Sequence, residues 1–407
     1  MLKPVQIKKD IWWVGGLDWN ARSFHGYTTE DGITYNAYLI VDEHITLIDT
    51  TKATFSHELL QRISQIVDPS QIEYIISNHV EMDHSGSLPA IMAAAPNATI
   101  VTSDPQGIRG LTAHYGDAYK YMGVKTGDEL CIGKRTLTFV QTPMVHWPDN
   151  MVTYDSYDCI LFSNDAFGQH FASSGRFDDE NDFSEVMLQA TKYFANIVHP
   201  YLRQVKAAIE AVESIGRENI ELIAPSHGVI WRSHVAEILD YYAVMAANTL
   251  TEKAVVVYDT MWGSTEKIAR AIVDAFSAEG VEAHLMSLQA NHPSDIATTM
   301  IDARYICVGS PTLNSQMLAT VSGALTYFKG LYPSEPDRIG LAFGSYGWAP
   351  VGPRNVSLAL KDMGIQQPVS PITVNWIPDD EVLNGIRNNV RMMISEGHRS
   401  KDCQYRA

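Results

Sequence analysis

Four potential metal ligands fall within six residues, His79-Val80-Glu81-Met82-Asp83-His84. Imidazole nitrogens and carboxylate oxygens at that density suit a cation, because solvated surface does not demand them and an apolar core does not tolerate them unpaired. The run follows YIISN (residues 74–78), an apolar strand pattern ending where side chains project from a sheet edge. Three further candidates also stand just past strand-like runs: His146 after LTFVQTPMV, Asp165 after CILFSN and His227 after ELIAPS. From His84 the intervals are 62, 19 and 62 residues, so the donors must be gathered from several strand ends. The four histidines with Glu81, Asp83 and Asp165 make seven donors, enough for two ions that share one bridging carboxylate. With no thiolate among them the set accepts zinc, iron or manganese. The chemistry is then hydrolysis at a dizinc centre or redox at an iron or manganese pair.

A second cluster, Thr260, Met261, Trp262, Gly263, Ser264 and Thr265, follows the buried-strand pattern AVVVYD and opens a helical pattern. A hydroxyl-rich turn there aims backbone N–H groups and Ser/Thr hydroxyls at an anion, with the helix dipole adding to the attraction. It matches neither G-x-x-x-x-G-K-[ST] nor G-x-G-x-x-G, so a monophosphate fits better than a triphosphate or a dinucleotide. Two more loops leave later strands: Pro311, Thr312, Leu313 and Asn314, and Gly344, Ser345, Tyr346, Gly347 and Trp348. In an open parallel sheet these would meet over one crevice, where Trp348 with Tyr346 or Trp262 can stack on a flat heterocycle.

The elements that must hold these loops divide the chain in two. Strand patterns at 45–49, 74–78, 99–102, 137–141, 159–163 and 221–224, with helical runs at 57–67 and 183–194, predict a layered α and β domain over residues 1–250. From 251 to 407 strands and helices alternate, with strands at 305–308 and 339–343, as in a doubly wound parallel sheet. The polar stretch 248–253 (NTLTEK) reads as the linker. Length alone, 407 residues, exceeds one small module. A net charge of −17 argues against nucleic acid and anionic membrane as partners. Cys131, Cys159, Cys307 and Cys403 form no C-x-x-C pair, which excludes a zinc ribbon, a built-in rubredoxin and a c-type haem. No signal peptide or membrane-length apolar run is present, which leads us to expect a cytoplasmic protein.

HxExDH followed by single His, Asp and His at these intervals resembles the metallo-β-lactamase superfamily, with Glu81 where that superfamily usually has a second histidine. That exchange, with MVHWPDNM (144–151) and SNDAFGQH (163–170), resembles the flavodiiron proteins, while the three later loops resemble flavodoxin. The resemblance covers nearly the whole chain. It implies an N-terminal metallo-β-lactamase-like αββα sandwich followed by a flavodoxin-like sheet that binds FMN. It also implies two non-haem iron ions: His79, Glu81 and His146 on one, Asp83, His84 and His227 on the other, and Asp165 bridging. His25, Tyr27 and Tyr193 resemble residues near the metal pocket, where they could hydrogen-bond bound oxygen species. Asp49 in LIDT is expected to support a loop instead of binding metal.

The activity so implied is reduction of O2 to water, or of NO to N2O, with O2 favoured. FMN would relay electrons from a separate donor, a rubredoxin or reduced coenzyme F420, since no rubredoxin-like or flavin-reductase extension follows Ala407. The resemblance further implies a head-to-tail homodimer, or a pair of such dimers, with Trp147 a candidate for the contact between chains. Two rival readings remain at this point. One is a dizinc hydrolase with a regulatory flavodoxin half. The other is a non-catalytic electron carrier with a degenerate metal half, which full retention of seven ligands argues against.

Overall fold

The computed structural model describes residues 3–332 and 337–404, with side chains to residue 398. The side chain of Cys403 and residues 405–407 of the second expected domain fall outside that description. The first unit is built on two sheets. A seven-stranded sheet runs Val5–Lys8, Ile11–Trp13, Tyr38–Ile40, Ile45–Ile48, Ile72–Ser77, Thr99–Ser103, Lys120–Val124 in spatial order. A five-stranded sheet runs Glu129–Cys131, Thr136–Gln141, Met151–Asp155, Ile160–Asn164, Leu222–Pro225. Strand alternation decides what each face meets. Ile48, Ile76 and Val101 join Phe139, Met151 and Phe162 of the other sheet in one core. Their neighbours Leu47, Ile75 and Ile100 point the other way, onto Leu59, Ile91 and Leu111 of the helices Ser56–Ile63, Leu88–Ala94 and Gln106–Tyr115. Sheet thus packs on sheet with helices outside, the αββα arrangement implied by the resemblance.

In the second unit five strands are parallel throughout, in the order Glu282–Ser287, Thr251–Tyr258, Ala303–Gly309, Ile339–Tyr346, Ile372–Asn375. Val256, Cys307 and Leu341 face the helices Ser264–Ala278 and Asp380–Gln404, while Val255, Val257, Ile306 and Ala342 face the opposite helical layer. Burial on both faces explains why these strands read as unbroken apolar runs. One expectation needs correction. Residues 251–253 are not linker, because Thr251 N–H donates to Asp302 O at 2.8 Å and Lys253 pairs with Glu282, so the polar end of the run is already strand.

Two short segments from the first 250 residues, 26–28 and 195–200, belong to the second unit. Thr28 N–H donates to Ser294 Oγ at 3.3 Å, Tyr327 Oη donates to Asn196 Oδ1 at 2.6 Å, and His199 Nδ1 lies 3.1 Å from Leu331 O. Residues 194–198 form a single wide turn at the end of the helix Phe183–Tyr193.

A buried cation ties down one end of the sandwich. Arg135, fully buried, donates to Asp158 at 2.7 Å, Asp42 at 2.9 Å and Lys9 O at 2.9 Å, with Asp155 Oδ2 3.4 Å from its Nε. Burial, reinforced by the charge of Asp158, pushes the Asp155 carboxyl up to about 6, which Arg135 only partly opposes. A raised folded value means that the folded state holds the proton more tightly than the unfolded chain. The stability this group contributes is therefore complete below pH 3.8 and lost as pH rises through 6. Asp155→Asn is expected to remove that slope, on the order of 2 kcal/mol between pH 4 and 7. Urea midpoints of the two proteins across that range measure it, and parallel curves would contradict it.

Candidate functional site

All seven sequence-predicted metal donors are buried, and the ends of neighbouring elements deliver them to one place. His79 stands two residues beyond Ile72–Ser77. Glu81 precedes the short helix Met82–Ser85, which carries Asp83 and His84. His146 lies in the loop between Thr136–Gln141 and Met151–Asp155, Asp165 directly follows Ile160–Asn164, and His227 comes just after Leu222–Pro225.

The donors fall into two groups, His79, Glu81, His146 and Asp165 in one and Asp83, His84 and His227 in the other. Asp165 faces both. Its Oδ2 is 3.3 Å from His146 Nε2 and 3.7 Å from His79 Nε2, while its Oδ1 is 3.0 Å from His84 Nε2 and 3.5 Å from His227 Nε2. Glu81 Oε2 is 3.3 Å from both His79 and His146, and Asp83 Oδ2 is 3.2 Å from His227.

The electrostatics of this arrangement call for cations. Among the described residues no lysine or arginine pairs with Glu81, Asp83 or Asp165, and although imidazoles lie close, neither oxygen of Asp83 or Asp165 and neither nitrogen of His84 makes a well-aligned hydrogen bond. Buried polar atoms left this way are rare unless an ion or water completes them. Without a metal the imidazoles supply the charge. Burial pulls His79 down, but its hydrogen bonds to Asp149 and Glu81 and the charges of Asp149 and Asp165 outweigh that and raise it to about 10. His84 and His146 rise to about 9 by the same contest between burial and neighbouring carboxylates. Asp165 is held well below the usual carboxylate range, since the charges of His84 and His146 overcome its burial. A metal must displace these protons, so its uptake is proton-linked. Nitrogen and oxygen donors without sulfur fit iron, manganese or zinc.

A surrounding layer aims the imidazoles. His79 Nδ1 is 2.8 Å from Asp149 Oδ2, which also accepts from Val80 N–H at 2.7 Å, leaving Nε2 to face the centre. His227 Nδ1–H donates to Thr34 O at 2.6 Å. Asp49 accepts from Asn78 N–H at 2.8 Å and from the Asn78 and Asn164 side chains, the loop support expected of it. Sequence reasoning missed Asp149, whose only signal is its place three residues after His146. Thr34 acts through its carbonyl, which leaves no signal in a side chain. Asp149→Ala is expected to weaken metal binding about 10–100-fold. Competition with a chelator reads this, and unchanged retention would remove the orienting role.

Of the other residues singled out, His25 meets the centre directly. Its Nε2 hydrogen-bonds Glu81 Oε1, which raises its pKa, and the side chain is half exposed. Tyr193 is buried with its ring 5.0 Å from that of His170 and 6.1 Å from His227. His170, not picked out from sequence, packs edge-on against His227 at 4.7 Å, and burial holds it well below the ordinary value. Tyr27 is buried on the short strand Tyr27–Thr28, within a segment grouped with the second unit.

In the second unit the three loops converge on a cavity of about 480 Å³. Thr260, Met261, Trp262 and Ser264 line it together with Pro311, Thr312, Ser345, Tyr346 and Gly347. Gly263 sits at φ +85° and starts the helix Ser264–Ala278, and its N–H donates to Thr260 Oγ1 at 3.0 Å. Thr265 is buried beneath the turn, 3.4 Å from Ser345. Leu313, Asn314, Gly344 and Trp348 are not in the lining, and Trp348 is 84 % exposed. Trp376 and Ile377, which no motif marked, take the place expected for Trp348. The cavity pairs a hydroxyl-lined anion end with exposed indoles, a fit for a flat heterocycle carrying one phosphate.

Comparison with known proteins bears on both units. A model described as ODP family beta lactamase matches residues 33–228, and a flavodoxin model matches residues 256–385. The chain is 43% identical over 387 residues to a nitric oxide reductase of Moorella thermoacetica, covering 94% of this chain and 96% of that one. Among solved structures, the rubredoxin oxygen:oxidoreductase of Desulfovibrio gigas superposes with a TM-score of 0.93 at 39% identity, over 97% of this chain and 99% of that chain. The flavodiiron protein of Giardia intestinalis gives 0.92 at 33% identity, over 98% of each chain.

Proposed function

Since the chain belongs to the flavodiiron proteins, we propose that it is an oxidoreductase that reduces O2 to water, or NO to N2O, at a pair of iron ions with electrons relayed through FMN. The observation that carries this reading is the two-sided placement of Asp165 between donor groups that have no other cation. His79, Glu81 and His146 would hold one iron and Asp83, His84 and His227 the other, with Asp165 available to both. Thr260, Ser264 and the N-terminus of the helix Ser264–Ala278 would hold the FMN phosphate, and the cavity-lining Trp262, Tyr346 and Trp376 would supply aromatic contact for its ring. Relatives that are nitric oxide reductases and a rubredoxin-oxygen oxidoreductase favour this over a dizinc hydrolase.

When bound, the iron pair and FMN supply the electrons, FMN passing them singly or in pairs. The chain's own residues do the rest. Asp149 and the Thr34 carbonyl fix the imidazoles of His79 and His227 so that each Nε2 points inward. His25, at the rim and hydrogen-bonded to Glu81, holds a proton at Nε2 that reduction to water consumes. Tyr193 and His170 wall the side of His227 and keep water out.

The electron donor is a rubredoxin or reduced coenzyme F420, and the name of a relative in Megalodesulfovibrio gigas, rubredoxin-oxygen oxidoreductase, supports the first. The working form is a head-to-tail homodimer, a reading supported by the exposed indoles of Trp262 and Trp348 and the part-exposed Trp147. No helix among the described residues is long and apolar enough to cross a membrane. Free Cys131, Cys159 and Cys307 support a reducing, cytoplasmic setting.

The test is anaerobic. Protein with its iron and FMN measured is reduced chemically, then mixed with limiting O2 or NO while flavin absorbance and gas are followed. Fast reoxidation with gas consumption is the expected result, and the faster gas names the substrate. Two zinc ions per chain and slow reoxidation by both gases would overturn the reading.

A further inference from the structure

Two small cavities in the first unit share Ile209 and Val212 as common walls. The inner one is also walled by Val145, Val152, Ala166 and Phe167, and its lining is almost wholly apolar. The outer one is bounded by Ile220 and Leu239 and reaches the surface beside Glu213 and Arg217. Val145 directly precedes His146 and Ala166 directly follows Asp165, so two residues of the inner wall are chain neighbours of metal donors. Two polar residues, Thr142 and Tyr242, also line the inner cavity, and Tyr242 Oη accepts from Phe167 N–H at 2.8 Å.

Each cavity has free volume for about one water-sized molecule. Water needs two to four polar partners to stay, and the almost wholly apolar inner lining does not offer them. Such a void excludes water yet accepts an apolar diatomic, and leaving it unfilled costs packing energy. Val205, Ile209 and Val212 lie four and three residues apart on the helix Leu202–Glu213, which places them on the one face turned to the sheet.

We propose that these cavities are the entry route for O2 or NO, leading from the surface at Glu213 past a neck of Ile209 and Val212 to the wall behind His146 and Asp165. The inference rests on the reductase reading above and names the path its substrate takes. A route of this kind delivers an apolar gas while holding back water and ions, so the neck side chains set the rate at which gas arrives.

Xenon and kinetics test it on the holoenzyme. Crystals under xenon pressure are expected to show density between Val145, Phe167 and Ile209. In stopped-flow, anaerobically reduced protein is mixed with a series of O2 concentrations, with iron and FMN measured for each variant. Ile209→Trp is expected to lower the second-order reoxidation rate about tenfold, and Ile209→Ala to raise it. A purely structural role moves no pair of variants in opposite directions. If the Trp variant does not fold, Val212→Phe narrows the same neck. Empty cavities under xenon, or unchanged rates in both variants with cofactors retained and normal wild-type turnover, overturn the route alone. Wild-type reoxidation that does not depend on gas overturns the reductase reading, and the route with it.

Discussion

Replacing Asp165 by alanine is expected to leave at most one iron per chain and to lower consumption of either gas on the order of a thousandfold. Asp165 is the one donor whose two oxygens face different groups, so its loss removes a ligand from both sides at once. It also leaves four imidazoles facing only Glu81 and Asp83, where Asp165 now helps to offset their charge. Asp165→Asn keeps the shape but loses the negative charge and one acceptor, so it should retain the fold while failing to hold the pair. Iron analysis with gas uptake separates these effects. Two irons and normal uptake in the alanine protein would remove Asp165 from the centre.

The second large effect is expected at Gly344. A Cβ there would lie 1.9 Å from Ser310 O, a backbone atom that cannot step aside alone. The approach is close because the loops are zipped together, with Ser310 N–H donating to Phe343 O and Thr312 N–H to Ser345 O, both at 3.0 Å. Thr312 and Ser345 line the flavin cavity, so parting the loops opens its floor. Gly344→Ala is expected to lose FMN and roughly 3–5 kcal/mol of stability in that unit. Gly323→Ala is the control: this exposed residue in the helix Ala319–Leu331 has nothing within 4 Å of its added Cβ and should gain about 0.5–1 kcal/mol. Flavin retention after gel filtration and thermal unfolding measure both. A Gly344→Ala protein that remains yellow and stable would contradict the argument.

How far the sequence could be read follows from where each element lies. Thr251–Tyr258, Ala303–Gly309 and Ile339–Tyr346 were legible because burial on both faces demands apolar runs, apart from the polar start of the first. Glu282–Ser287 and Ile372–Asn375 were not, since each closes an edge of the sheet and its polar residues break the pattern. The metal donors were legible because the chemistry needs particular side chains past particular strands. Asp149 carries the right side chain without a spacing that marks it, and Trp376 and Ile377 reach the flavin cavity from 28 residues beyond the last loop motif.

The segments 26–28 and 195–200 bear on how the chain is made. They are synthesised with the first half, yet Thr28, Asn196 and His199 complete contacts with Ser294, Tyr327 and Leu331 of the second. On the ribosome, where earlier residues emerge first, these pieces are already exposed and waiting when the later unit folds around them. A gene cut at codon 251 would therefore release a flavodoxin-like fragment lacking these partners. The two halves cannot be exchanged like cassettes among fusion proteins unless residues 26–28 and 195–200 travel with the second.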